Sequence, residues 1–143
     1  MKFKIAIISF TLLFSTLSQA NEETCKEKVR IANEAFNSED LNDLLDKATV
    51  AVKECEKAKV RSSPAYVVRG SAYLKLRKTA NALSDFKKAS AIDPKSEVIQ
   101  INLCSAYAEL KDVKNAKKEC KKSMNGSAFK EQAKKILSQV TGS

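Results

Sequence analysis

Residues 64–94 read PAYVVRGSAYLKLRKTANALSDFKKASAIDP, and within them Tyr66, Gly70, Tyr73, Ala82, Phe86, Ala89 and Pro94 follow one another at intervals of 4, 3, 9, 4, 3 and 5. Intervals of three and four put residues on one face of a helix, and the gap of nine marks a turn between two such helices. Small residues at Gly70, Ala82 and Ala89 let the two helices approach closely. The rings of Tyr66, Tyr73 and Phe86 fill the space against neighbouring hairpins. Ser63 followed by Pro64 reads as an N-cap with proline at the first helical position, and Asp93 with Pro94 ends the second helix.

One period further along the chain the pattern recurs with Leu103, Cys104 in the glycine place, Tyr107, Ala116, Cys120 and Ser123. One period back, Ala48, Val52 and Cys55 fall on second-helix positions, although the first helix of that hairpin fits only after a shift of about three residues. On these residues the chain resembles the tetratricopeptide repeat family. Cysteine-rich Sel1-like repeats are a more distant likeness. Their hairpin turns are rich in glycine, whereas the turns near Asp40, Lys78 and Asp112 contain none and the middle hairpin has no cysteine. The resemblance implies an all-α, right-handed superhelix of about three hairpins with a terminal capping helix.

Outward from the repeat, the N-terminus reads MKFKIAIISFTLLFSTLSQA, with Lys2 and Lys4 ahead of an uncharged, largely apolar run from Ile5 to Leu17, then Ser18, Gln19 and Ala20. This is the layout of a secretory signal peptide, and the apolar run is short for a spanning helix. Residues 1–20 are expected to be removed, leaving 21–143 as one helical domain without a transmembrane segment. A bacterial periplasm is the expected location, with secretion beyond the envelope as the alternative. Loss of Lys2 and Lys4 takes the formal charge from +9 to +7.

Seven helices are expected: Glu23 to Phe36, Asp40 to Lys57, Pro64 to Leu76, Thr79 to Ile92, Ser96 to Leu110, Val113 to Met124 and Ala128 to Val140. They give hairpins over 23–57, 64–92 and 96–124 and a cap over 128–140. Asp112 is placed to cap the sixth helix. Asn125 and Gly126 read as a helix stop and Ser127 as the cap of the last helix; the three also spell a glycosylation sequon. Phe129, Ala133, Ile136, Leu137 and Val140 give that helix one apolar stripe.

Cys104 and Cys120 each lie eight residues from Asp112, and Cys25 and Cys55 each lie 15 from Asp40. Positions equidistant from a turn sit at similar heights on antiparallel helices. Four cysteines allow three pairings, and this symmetry selects Cys25 with Cys55 and Cys104 with Cys120. An exported chain is where such bonds persist. The wide gaps between successive cysteines and the absence of histidine speak against a zinc site, a redox Cys-x-x-Cys pair and a cysteine nucleophile. No metal, no cofactor and no enzymatic activity are expected, since the carboxylates, serines and lysines show no spacing that suggests a reacting site.

The family resemblance implies a partner-binding groove on the first helices of the hairpins: Val67, Ser71, Leu74 and Lys75 in the middle one, Ile101, Ser105, Ala108 and Glu109 in the third. The family's lysine and asparagine clamp for a peptide carboxylate is not expected, because its places hold Val67, Ser71, Ile101 and Ser105, with only Asn102 and Lys75 nearby. The implied function is an exported module that binds a protein or peptide segment. Arg69 stands where the family has leucine, so either its stem runs along the groove edge or the packing departs from the pattern.

A second surface is electrostatic. Lys114, Lys117, Lys118, Lys121 and Lys122, at intervals of 3, 1, 3 and 1, share one side of a helix, and Lys130, Lys134 and Lys135 extend the series. The alternative function is therefore an envelope-associated structural protein that meets anionic lipid or polysaccharide through these lysines. With no arginine and no aromatic residue among them, nucleic acid is a disfavoured partner.

Overall fold

A computed structural model describes residues 2–125 and 128–142, with side chains from Thr16 onward. The helix stop at Gly126 and the cap at Ser127 lie outside the described residues. Within them the chain forms α1 (Lys2–Glu34) with a 3-10 turn (Ala35–Asn37), α2 (Leu41–Lys57), α3 (Ser63–Lys75), α4 (Thr79–Ile92), α5 (Glu97–Glu109), α6 (Val113–Ser123) and α7 (Lys130–Thr141). Consecutive helices α1 and α2, α3 and α4, α5 and α6 pair as hairpins. Successive hairpins stack through α2 on α3 and α4 on α5, and α7 closes the stack against α5 and α6.

The stacking follows from where the apolar side chains lie. Cys25, Val29, Ala32, Leu44, Val52 and Cys55 of the first hairpin share a core with Ala65, Val68 and Ala72 of α3. Ala82, Phe86 and Ala89 of α4 share the next with Ile99, Leu103 and Ala106 of α5, with Tyr66, Tyr73 and Tyr107 packed at its edge. Ile101, Cys104 and Cys120 share the third with Ala133 of α7. Each core joins one hairpin to the helix that follows it, so no hairpin buries its apolar face alone.

Equal distance from the turn decides what meets across a hairpin, and in the middle and third hairpins one such level joins residues 16 apart. The helical glycine Gly70 faces the fully buried Phe86, and a Cβ at Gly70 would lie 2.6 Å from the ring's Cε1. In the next repeat the equivalent pair is Cys104 and Cys120, joined by a disulfide with Cα atoms 4.9 Å apart. The second disulfide, Cys25–Cys55, ties α1 to α2 with Cα atoms 4.6 Å apart. Both bonds have the pairing that the turn symmetry selects.

Helix starts follow local chemistry, with shifts at α3 and at α7, which begins at Lys130 and not at Ala128. Asp40 caps α2 by accepting from the Asn42 and Asp43 amides at 3.0 Å, and Asp112 caps α6 by accepting from the Asn115 amide at 3.1 Å. At α3 the cap is Ser62, whose hydroxyl accepts from the Ala65 amide; Ser63 is already helical, which moves Pro64 to the second helical position. The glycine-free helix ends are made by basic residues: Lys59, Arg77 and Lys111 adopt φ of 57°, 58° and 58°. The Lys78 amide then reaches the Tyr73 carbonyl and the Arg77 amide the Leu74 carbonyl, the bonding of a Schellman turn.

The first helix departs most from expectation. It runs from Lys2, not Glu23. The side chains of Thr16 to Thr24 are all exposed and Cys25 is the first buried one. Among the described residues no helix is long and apolar enough to cross a membrane.

Candidate functional site: the inner groove and the lysine face

The groove positions of α3 and α5 divide by what they touch. Val67 and Leu74 are half-buried and pack against the second core, and Ser71 lies half-buried between them. Ile101 is only 2% exposed: α7 covers it, so it belongs to the third core and not to an open groove. Ser105 donates its hydroxyl to the Ile101 carbonyl of its own helix at 3.0 Å, as helical serines with no outside partner do.

Lys75 and Glu109 occupy the same position in successive repeats, and each reaches back to the preceding hairpin. The Lys75 ammonium donates to the Phe36 carbonyl at 2.6 Å and sits 4.1 Å from that ring's centroid. The Glu109 carboxylate accepts from the Thr79 hydroxyl at 2.8 Å. Opposite charges thus perform one task, setting the spacing between hairpins at the groove's edge.

Ser105, Ala108 and Glu109 do open onto a cleft of about 780 Å³. Its far wall is the outer half of α7, with Gln132, Lys135, Ile136, Gln139 and Val140, and its floor is formed by Lys111 and Val113 at the turn between α5 and α6. Apolar side chains line it alongside amides and one charge of each sign on its walls. Such a surface offers contact area and amide hydrogen bonds but no concentrated field.

Arg69 proves to be a structural residue. Its Nε and Nη2 donate to the two oxygens of Asp85 at 2.7 and 2.8 Å, with side-chain exposures of 16% and 4%. The same acceptor holds the guanidinium's pKa above its ordinary value. Beside it the Tyr66 hydroxyl donates to Glu56 at 2.7 Å, and burial together with that acceptor pushes the phenol up to about 12. The signal that would have found this pair is turn symmetry: Arg69 and Asp85 each lie eight residues from Arg77.

On α6 the side facing the core carries Ala116, Glu119, Cys120 and Ser123, all buried. Lys114, Lys117, Lys118, Lys121 and Lys122 are exposed on the other side. Lys122 bridges Glu119 at 2.9 Å. Lys134 on α7 pairs with Glu131 at 2.8 Å. Among the described residues no group of three or more histidine, cysteine, aspartate or glutamate side chains is arranged to hold a metal ion.

The sequence profile of the tetratricopeptide repeat matches residues 63–96. The chain carries a tetratricopeptide repeat. The middle hairpin is that repeat, and its neighbours extend the same fold in both directions. The chain is similar to the TPR2B domain in the TPR2B:pHsp70 complex of yeast Sti1, with a TM-score of 0.73 at 18% identity, covering 83% of this chain and 98% of that one. It is similar to the first tetratricopeptide domain of Spaghetti (RPAP3), solved with the HSP90 peptide SRMEEVD, with a TM-score of 0.75 at 19% identity over 84% and 92% of the two chains. The TPR2AB domain of the yeast Sti1 pHSP90 complex matches with a TM-score of 0.74 at 18% identity, covering 90% of this chain and 52% of that one. At these identities the likeness is one of fold. No curated protein matches the sequence.

Proposed function

We propose that this protein is an exported tetratricopeptide module that binds a peptide or a partner's helix on its inner face, in the cleft between α5 and α7. The cleft carries the reading: three of the side chains that the family resemblance assigns to a groove, Ser105, Ala108 and Glu109, open onto it. One similar fold was solved bound to an HSP90 peptide, and another in a complex with pHsp70. Those ligands do not transfer to this chain. SRMEEVD is acidic, whereas the middle hairpin here offers Val67 and Ser71 and commits Lys75 to Phe36. A mixed, amide-bearing segment with apolar anchors suits the lining better.

Export is part of the proposal. It rests on the lysine-flanked apolar leader and on the exposure of every described side chain before Cys25, so processing at Ala20 would remove no described core side chain. Two disulfides fit the same compartment.

A photoreactive amino acid at Ser105 or Gln139 tests the groove in the producing cell. A discrete adduct from both positions, absent when the probe stands at the outward-facing Lys53, is the expected result. Identical adducts from all three positions, or none from the cleft, would remove the reading.

A further inference from the structure

We propose that the lysine face of α6 docks the protein onto an anionic lipid bilayer surface. This is separable from the groove reading: Lys111 and Val113 border the cleft, but Lys114, Lys117, Lys118, Lys121 and Lys122 do not line it.

The face is built as a unit. Successive helical residues turn by about 100°, so Lys114, Lys117, Lys118, Lys121 and Lys122 are centred opposite the buried Ala116, Glu119, Cys120 and Ser123. From Lys114 to Lys122 this gives a straight row about 12 Å long. Lys122 is spent on Glu119. Among the described residues Lys114, Lys117, Lys118 and Lys121 form no salt bridge within 4.0 Å. Like charges three and four residues apart on a helix repel one another. Lys114 also sits in the first turn, where the helix dipole disfavours a cation. The helix is nevertheless held, by the disulfide at Cys120 and the cap at Asp112. A negatively charged surface laid along it would relieve the repulsion that the covalent tie sustains.

The chemistry of the row selects the occupant. Lysine is a compact point charge without the planar fork with which arginine grips individual phosphates. A row of lysines without aromatic neighbours answers to a diffuse negative field, as headgroups provide, and offers nothing on which bases stack. At one end of the row the turn between α5 and α6 exposes Leu110 and Val113, 44% and 38% accessible, beside Lys111 and Lys114. Two apolar side chains flanked by lysines can enter the headgroup layer while the ammoniums stay at its surface.

Vesicle sedimentation tests this with the protein as the producing cell accumulates it, disulfides intact. Vesicles of phosphatidylcholine with phosphatidylglycerol are compared with phosphatidylcholine alone. The expected result is retention by the anionic vesicles at low salt, weakened about tenfold or more at high salt, with K117E/K121E losing at least about tenfold and K117Q/K121Q less. K53E/K78E makes the same change in net charge elsewhere and is expected to bind as the parent does. Equal retention by neutral vesicles, or an equal loss in the control variant, overturns the proposal. So does retention on a polyanionic polysaccharide with none on vesicles, which would give the face to another partner.

Discussion

Gly70 has one neighbour that matters. In an exposed helix glycine to alanine gains about 1 kcal/mol through propensity. At Gly70 the added methyl would sit 2.6 Å from Cε1 and 2.9 Å from Cδ1 of Phe86, a ring with no exposed surface into which to swing. Gly70→Ala should therefore lose about 1–3 kcal/mol, the cost of overpacking, in urea unfolding of the oxidised protein. Phe86→Leu in the same chain should recover part of that loss, which a propensity effect would not do. Asp85 gives the complementary case. Asp85→Asn leaves the Arg69 guanidinium largely buried and short of a counter-charge, at a cost of about 3 kcal/mol. Combining Arg69→Leu with Asp85→Ala should restore most of it, since paired burial of charge stabilises little by itself. A double variant as weak as the single one would show that the pair itself, and not the orphaned arginine, carries the stability.

At the scale of the helical hairpin, turn symmetry serves three chemistries. Residues about eight positions either side of the turn face each other as an ion pair at Arg69 and Asp85, as glycine on ring at Gly70 and Phe86, and as a disulfide at Cys104 and Cys120. Loop-closure entropy ranks the bridges by length: about 3 kcal/mol for the 16-residue separation and about 3.6 for the 30-residue one. Contact argues the reverse order. The disulfide of the third hairpin occupies the place where the middle hairpin has a buried ring, so C104A/C120A would leave two methyl groups facing a gap. In the first hairpin Leu44 and Val52 remain fully buried beside the bridge. C104A/C120A should therefore be at least as destabilising as C25A/C55A when midpoints are compared in denaturant. The opposite ranking would return the explanation to chain entropy alone.

The hairpins also mark where sequence reading stops. Periodicity and turn symmetry suffice for α4 and for both disulfides, because those depend on position along a helix. The Arg69–Asp85 pair escapes them, because the family pattern supplies leucine at Arg69 and gives a charge no partner to seek. The cap of α3 slips by one residue because Ser62 and Ser63 are chemically alike, and only the hydroxyl's reach to the Ala65 amide separates them. Repeat position assigns Ile101 to the groove, and it cannot register that the next helix lies over that side chain.

For the whole molecule, charge and packing both run along the stack. Residues 21–57 hold ten carboxylates against six bases, and residues 111–135 hold nine bases against three carboxylates. The last core is closed by α7, through Ala133 with Phe129, Ile136 and Leu137 around it. In a stack each unit draws its stability from its neighbours, so the effect of removing an end should decay with distance. A chain ending after Asn125 uncovers Ile101 and one side of the Cys104–Cys120 bridge, and should lose about 2–4 kcal/mol from burial alone. The disulfide still joins α5 to α6, so these helices should loosen and not come apart. Hydrogen exchange should accordingly quicken across α5 and α6 and stay unchanged in α1 to α4. Faster exchange throughout would mean that the hairpins fold as one indivisible unit. Binding measured on the same truncated chain separates the two surfaces: cleft contacts made with α7 should vanish, while retention by anionic vesicles through α6 should persist.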